Sequence, residues 1–212
     1  MLHPPRPGPD SLVPQTVEPV QRGAIGPMEP SDEELVLRFQ RGDELAFDSM
    51  VARWNEPILQ LATRLTGDPE EAKDVRQMTL LKTYQGLSRF EGRARFSTWL
   101  YRVVLNLCRD RQRGQEARTR LTEASAEARD EREYVLEETG FHVARDKELA
   151  RVVADAVLEL PTAEREVLVL RHYHDLPFPA IAEVLGAPVT TVKSRMSRGL
   201  ALLRTRLATL EA

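Results

Sequence analysis

From Thr190 to Arg198 the chain reads TTVKSRMSR, and apart from Val192 and Met196 every residue there carries a hydroxyl or a positive charge. At about 100 degrees per residue, Val192, Met196, Leu200 and Leu203 share one helical face, which leaves Thr191, Ser194, Arg195 and Arg198 on the open side. Lys193, Arg195, Arg198, Arg204 and Arg206 are five cations with no acid between Glu183 and Glu211. Such groups recognise anions. Arginine can pair bidentately with guanine, and serine, threonine and lysine reach bases or phosphates. A second set has related chemistry. Arg102, Asn106, Arg109 and Arg113 fall at i, i+4, i+7 and i+11, one polar stripe within residues 89–113, where seven arginines face two acids. Phe90, Phe96, Trp99 and Tyr101 are interleaved with that charge, a mixture suited to opened nucleic acid whose bases have left the stack. For the aromatics, ordinary core packing is the competing reading.

Helices must position both sets. Pro179 suits a helix start, Ala182 is small where two helices would touch, and Gly186 allows a positive φ in a tight turn. Val192 then anchors the next helix, so 179–198 has the residue types of a helix-turn-helix. Upstream, Ser31 and Glu34 form a capping box, and Asp43 can cap a second helix whose Phe47, Met50, Val51 and Trp54 recur at helical spacing before Pro57 bends or interrupts it. Asp68, Pro69 and Glu71 open a third helix with an expected buried stripe of Ala72, Val75, Met78, Leu81 and Tyr84. Ser97 can cap a fourth, with Leu100, Val103, Val104 and Leu107 inward, and after Pro161 Thr162 can cap a later one.

Eight of the 14 prolines lie in residues 1–30, which lack periodicity and are expected to be a disordered extension. Residues 31–113 read as one helical domain. Residues 114–148 carry ten acids against six bases and read as an acidic linker, and periodicity resumes in 149–212. No stretch alternates long enough for a sheet, so the expected fold is all-α: two small helical domains joined by an acidic flexible linker.

Several functions are excluded. No apolar run approaches the roughly 18 residues of a membrane span, and the prolines of MLHPPRPGPD do not make a secretory signal. The lone Cys108 cannot form an internal disulfide, which fits a reducing cytoplasm, and it reads as a small buried or half-buried residue. His172 and His174 diverge at i, i+2 on a helix and lack the ligand set of structural zinc, so no metal site is expected. No phosphate loop, nucleophile elbow or convergent catalytic set appears. Neither an enzymatic activity, a cofactor nor a small-molecule substrate is expected.

Three blocks together resemble the extracytoplasmic-function (ECF, group IV) sigma factors of bacterial RNA polymerase, in the sigma-70 family. They are GDELAF, the segment from GDPEEAKDVRQMTLLKTY to NLCRDRQR, and the segment from LPTAEREVLVLRHYHD to VKSRMSRGLALLR, covering nearly all of 31–206. The resemblance implies a sigma region 2 helical bundle in 31–113, a sigma region 4 helix-turn-helix in 149–212, and promoter-directed transcription initiation with opening of the DNA. It implies polymerase-binding residues Asp74, Val75, Gln77, Met78 and Leu81. For the minus-ten element it implies Phe90, Arg93, Arg95, Phe96, Arg102, Asn106 and Arg109; for the minus-thirty-five element, Thr190, Thr191, Lys193, Ser194, Arg195 and Arg198. The implied partners are core RNA polymerase (β′ clamp and β flap), promoter DNA and an anti-sigma factor, for a cytoplasmic chain that is monomeric when free.

The sequence departs from the family at Pro177 and Pro179, where a serine-tyrosine-glutamate run is frequent, and at Gly199, which replaces a common alanine and costs roughly 1 kcal/mol of local helix stability. MEPSDEELVLRF resembles a usual family beginning, so Met28 is an expected native start. The alternative reading is a helix-turn-helix regulator without sigma activity, dimeric on palindromic half-sites.

Overall fold

Ser31 begins the first helix as its capping box predicts. Its hydroxyl accepts from the amide of Glu34 at 3.1 Å, and α1 runs Asp32–Gln40. Asp43 does not cap the next helix, α2 (Leu45–Thr66), because its carboxylate accepts from Arg38 Nε at 2.8 Å, a stronger charge-assisted bond than a free amide offers. Pro57 does not interrupt α2 either. It removes one backbone bond, and the burial of Ile58, Leu61, Ala62 and Leu65 just beyond it outweighs that loss.

Asp68 caps α3 (Pro69–Leu87) as expected, accepting from the amides of Glu70 and Glu71. The helix α4 (Phe96–Thr122) starts one residue before Ser97, which therefore lies inside the first turn; Glu33 of α1 supplies the carboxylate, accepting from Phe96 N at 3.3 Å. Then follow α5 (Ala144–Leu158), α6 (Thr162–His172), α7 (Phe178–Leu185) and α8 (Val189–Leu210). Thr162 is the first residue of α6 rather than its cap, since Pro161 occupies that position, and its hydroxyl donates to Gln112 Oε1 at 3.3 Å. Gly186 takes φ +61° at the end of α7, the left-handed turn the helix-turn-helix requires.

The computed structural model describes residues 29–122 and 144–210. The expectations for a disordered extension, a start at Met28 and the middle of the acidic linker therefore lie mostly outside the described residues. Both ends of the expected linker are helical, α4 reaching Thr122 and α5 starting at Ala144. The described residues from Ser31 onward form one compact unit. In it α2 packs on α3 and α4, α8 packs on α6 and α7, and the two groups touch through α4 with α7 and α2 with α5 and α6. Among the described residues every element is a helix and none is long and apolar enough to cross a membrane.

The core contains Leu61, Val75, Phe96, Leu100 and Val104 on one side and Leu160, Val167, Leu170, Ile181 and Val192 on the other, continuous between them. Cys108 is buried, as expected, and burial next to the Glu166 carboxylate pushes its thiol up to about 12, so it stays protonated. Of the five residues expected in the buried stripe of α3, two are inward. Ala72 and Val75 are buried, but the inward face continues through Thr79, Thr83 and Leu87, leaving Met78, Leu81 and Tyr84 exposed. The two threonines can be buried because their hydroxyls donate to the carbonyls of Val75 and Thr79 at 2.7 and 2.8 Å. On α8, Val192 and Met196 are buried as expected while Leu200 is exposed, and Gly199 takes the inward place, against Glu164 of α6.

Two glycines lead to opposite expectations. A Cβ on Gly86 would lie 2.9 Å from the ring of Trp99, itself packed on Phe90 and Phe96. Overpacking of about 1–3 kcal/mol exceeds the roughly 1 kcal/mol that alanine adds to a helix, so Gly86→Ala lowers stability, by about 1 kcal/mol in denaturant unfolding. A Cβ on Gly199 would meet Glu164 Cβ at an ordinary 3.4 Å, so Gly199→Ala raises stability by about 0.5–1 kcal/mol in the same assay.

Candidate nucleic-acid interface

Residues 88–95 connect α3 to α4 and are held from below. Gln40 donates to the carbonyls of Leu87 and Phe90 at 3.0 and 2.8 Å, fixing both ends of the bend that precedes Gly92, where φ is +69°. Phe90 is half-buried with its ring 6.0 Å from Phe96 and 5.6 Å from Trp99, while Arg95 stands exposed and Arg93 is exposed and paired to Glu91 at 2.6 Å. Phe96 departs from its expected place in this site. At 1% exposure its ring lies in the core, edge-on to Trp54, and it supports the loop from beneath rather than offering a surface.

Two arginines of the polar stripe of α4 are engaged by the C-terminal helices. Arg102 donates from Nε to the carbonyl of Glu183 at 2.9 Å, and from Nη2 to the same oxygen, reaching α7. Arg109 grips Glu166 of α6 with two parallel bonds, Nε to Oε1 and Nη2 to Oε2, both 2.6 Å. The Glu166 side chain is only 3% exposed. The hydrogen bond to that carboxylate raises the Arg109 guanidinium above its ordinary value, burial opposing. Asn106, exposed between the two arginines, lines a cleft of about 760 Å³ together with Arg113, Lys82 and, from α8, Arg195. Residues expected at two different DNA elements thus share one cleft.

On α8, Thr190, Lys193, Ser194 and Arg198 are exposed, and Thr191 and Arg195 are half-buried. Arg198 reaches back to Glu164 at 3.4 Å. Of the residues expected to meet the polymerase, Asp74, Gln77, Met78 and Leu81 are on the outer face of α3, with Asp74 accepting from Arg111 at 3.1 Å. Val75, expected on that face, is instead wholly buried in the core beneath it. The neighbouring Tyr84 closes an aromatic cluster with Phe39 and Phe47, centroids 5.4 and 5.1 Å away, and Leu37 and Leu45 are also exposed.

Several groups that sequence reasoning missed sit where α2 and α4 meet the C-terminal helices. Arg165 donates to the carbonyl of Leu65 at 2.7 Å, completing the end of α2, and the Arg64 guanidinium lies 4.1 Å over the ring of Tyr173. Tyr101 OH and His174 Nδ1 share a hydrogen bond of 3.4 Å. His172 is the last residue of α6 and exposed, whereas His174 is half-buried beyond the helix end, so the two do not share a helix as expected. The available signal was the run Glu164-Arg165-Glu166 directly before four apolar residues, a charged turn on a helix too apolar to leave any side in water.

Comparison with known proteins fits this geometry. The family model for sigma-70 region 2 matches residues 50–118, and that for sigma-70 region 4 matches 150–203. The RNA polymerase sigma-H factor of Pseudomonas aeruginosa is 34% identical over 171 residues, 79% of this chain and 89% of its own. The ECF RNA polymerase sigma factor SigW of Bacillus subtilis is 32% identical over 85% of this chain and 98% of its own. Among solved structures, CnrH in complex with the cytosolic domain of CnrY superposes with a TM-score of 0.64 at 29% identity, covering 85% of this chain and 99% of that one. The sigma factor RpoE of Bartonella quintana, solved with the anti-sigma factor NepR, shares the fold at a TM-score of 0.60 and 20% identity over 76% and 96%. Two regions that direct polymerase to promoters thus define a sigma-70 protein. The chain belongs to its extracytoplasmic-function branch and is an RNA polymerase sigma factor.

The buried histidine carries a pH signature. Burial first, then the nearby Arg64 charge, lowers His174 to about 4, against an unfolded value of about 6.5. Between those values the unfolded chain binds the proton and the folded chain does not, so the stability present above pH 6.5 is lost as pH falls toward 4. The loss reaches about 3 kcal/mol at most. Urea midpoints measured from pH 7.5 to 4.5 fall accordingly in the native chain, and the slope in that window flattens in His174→Gln.

Proposed function

We propose that the two regions divide the work residue by residue. Region 2, residues 31–113, binds core polymerase through the outer face of α3. The carrying observation is that Met78 and Leu81, large apolar residues, are 37% and 47% exposed beside Asp74 and Gln77. An apolar patch rimmed by polar groups is what a protein partner covers. Phe90, Arg93 and Arg95 then receive an unstacked base of the minus-ten element, with Arg102, Asn106 and Arg109 on the backbone of the opening duplex. In region 4, residues 149–212, α8 enters the major groove at minus thirty-five, with Arg195 and Lys193 on base edges and Thr190, Thr191, Ser194 and Arg198 on bases or phosphates.

The similarity to CnrH, solved with the cytosolic domain of CnrY, supports control of this chain by a protein antagonist of its own, an anti-sigma factor that covers the polymerase-binding face. The working compartment is the cytoplasm, where core polymerase and promoters are. A lone helix-turn-helix regulator would have no use for region 2, so the match over residues 50–118 argues against it.

Transcription from a randomised promoter library, with core polymerase of the source organism, tests the assignment. Initiation depends on the chain and selects two spaced elements. Leu81→Glu, on an exposed position, weakens core binding by tenfold or more while leaving the fold intact, as expected for a contact worth about 2 kcal/mol. Arg195→Ala keeps core binding and relaxes base preference at one minus-thirty-five position, a loss of about 1–3 kcal/mol. Initiation that ignores the chain, or is unmoved by both changes, overturns the assignment.

A further inference from the structure

We infer that Glu166 is the catch of an internal latch, a carboxylate that occupies Arg109 in place of a DNA phosphate and keeps the chain closed until it is displaced. The inference rests on the proposed reading of Arg102 and Arg109 as DNA contacts. Arg109 presents a planar fork, and the two parallel 2.6 Å bonds to Glu166 are the geometry by which arginine also grips a phosphate. Arg102, two turns earlier on α4, is filled by a carbonyl oxygen at the end of α7, again an acceptor where a backbone phosphate oxygen would serve. Both DNA-facing arginines of the stripe are therefore engaged by the C-terminal helices, and by different elements of them.

Distance leads to the same conclusion. Elements centred 10 and 35 base pairs upstream are separated by roughly 85 Å of duplex at about 3.4 Å per step. Here Asn106 and Arg195, assigned to those elements, line one cleft of about 760 Å³. The closed arrangement cannot engage both elements of a straight promoter. Opening exposes apolar surface of the core that the two halves share, and it exchanges the Arg109–Glu166 pair for Arg109 with phosphate and Glu166 with water. The exchange is favourable only where phosphate is present, because breaking the pair alone leaves Arg109 without a partner and a carboxylate that must be resolvated.

The test uses the full chain without polymerase, and random-sequence 30-base-pair duplex DNA as the probe. Fluorophores on cysteines introduced at exposed Gln85 and Ala208 report the separation of the two halves, Cys108 being too buried to label. Glu166→Gln is expected to lengthen that separation and to raise DNA affinity, steepening the slope of log Kobs against log salt by about 1.8 for two released arginines at about 0.9 each. In a separate chain, cysteines at Gln112 and Thr162, whose side chains meet at 3.3 Å, are joined by a short reducible cross-linker. The linked form is expected to bind DNA more weakly than the reduced form of the same molecule, which keeps the inference testable if Glu166→Gln fails to fold. Unchanged separation in Glu166→Gln, with linked and reduced forms binding alike, overturns the latch and leaves the DNA assignment of the arginines standing. Lengthened separation with unchanged affinity and salt slope overturns the inference through that assignment instead.

Discussion

Helix α6 places three charged residues in succession, Glu164, Arg165 and Glu166, at positions with almost no access to water, and much of the structure follows from satisfying them. An unpaired buried charge costs several kcal/mol, so each must find an opposite charge or a set of oxygens. Glu164 finds Arg198 within the C-terminal half. Arg165 finds the carbonyls of Leu65 and Leu160, and Glu166 finds Arg109. Two of the three solutions come from the N-terminal half, so the burial of α6 and the contact of the two halves are the same event. Apolar packing of Val167, Leu168 and Leu170 supplies the driving force, and the charges decide the orientation in which it is realised.

A surface that reads DNA and a surface that packs against protein place similar demands on an arginine. Both require a rigid cation aimed at oxygen atoms and held by its stem against apolar neighbours. On the proposed reading, region 2 presents one chemistry to two classes of acceptor, and its α4 stripe has no separate face for each. The outer face of α3, proposed above to meet polymerase, is different. Met78 and Leu81 are large apolar residues left exposed. Their neighbours Thr79 and Thr83 occupy the inward positions that larger apolar residues could have filled.

Helix starts with strong local chemistry were legible from sequence: the Ser31 hydroxyl, the Asp68 carboxylate and the positive φ of Gly186 all act as their types predict. Less legible were starts for which a distant partner competed. Asp43 was drawn to Arg38, and the role expected of Ser97 went to Glu33, more than sixty positions away in the chain. The inward face of α3 was misread because hydropathy counts a threonine as polar, whereas a helical threonine can donate to the preceding turn and then pack like valine. Phe96 and Val75 could be named as members of functional segments, but whether a residue touches a partner or holds up its neighbour depends on burial, which a motif does not encode. The region 2 and region 4 divisions were readable from motif order, while the contacts of Arg102 and Arg109 were not, since nothing local ties a cation on α4 to a carboxylate 57 residues on.

The two halves are joined through the backbone between Thr122 and Ala144, and that covalent fact alters the meaning of the Arg109–Glu166 pair. For separate molecules the polar contacts and the apolar packing around α6 would together have to overcome the full entropy of association. On one chain the local concentration of one half around the other is of the order of millimolar, so weak contacts hold and, once parted, re-form quickly. Any outside molecule that covers region 2, whether polymerase, DNA or antagonist, competes against a rival that never diffuses away and whose concentration does not fall when the cell dilutes it. Expression level then sets how many chains exist, but not what fraction of them is closed.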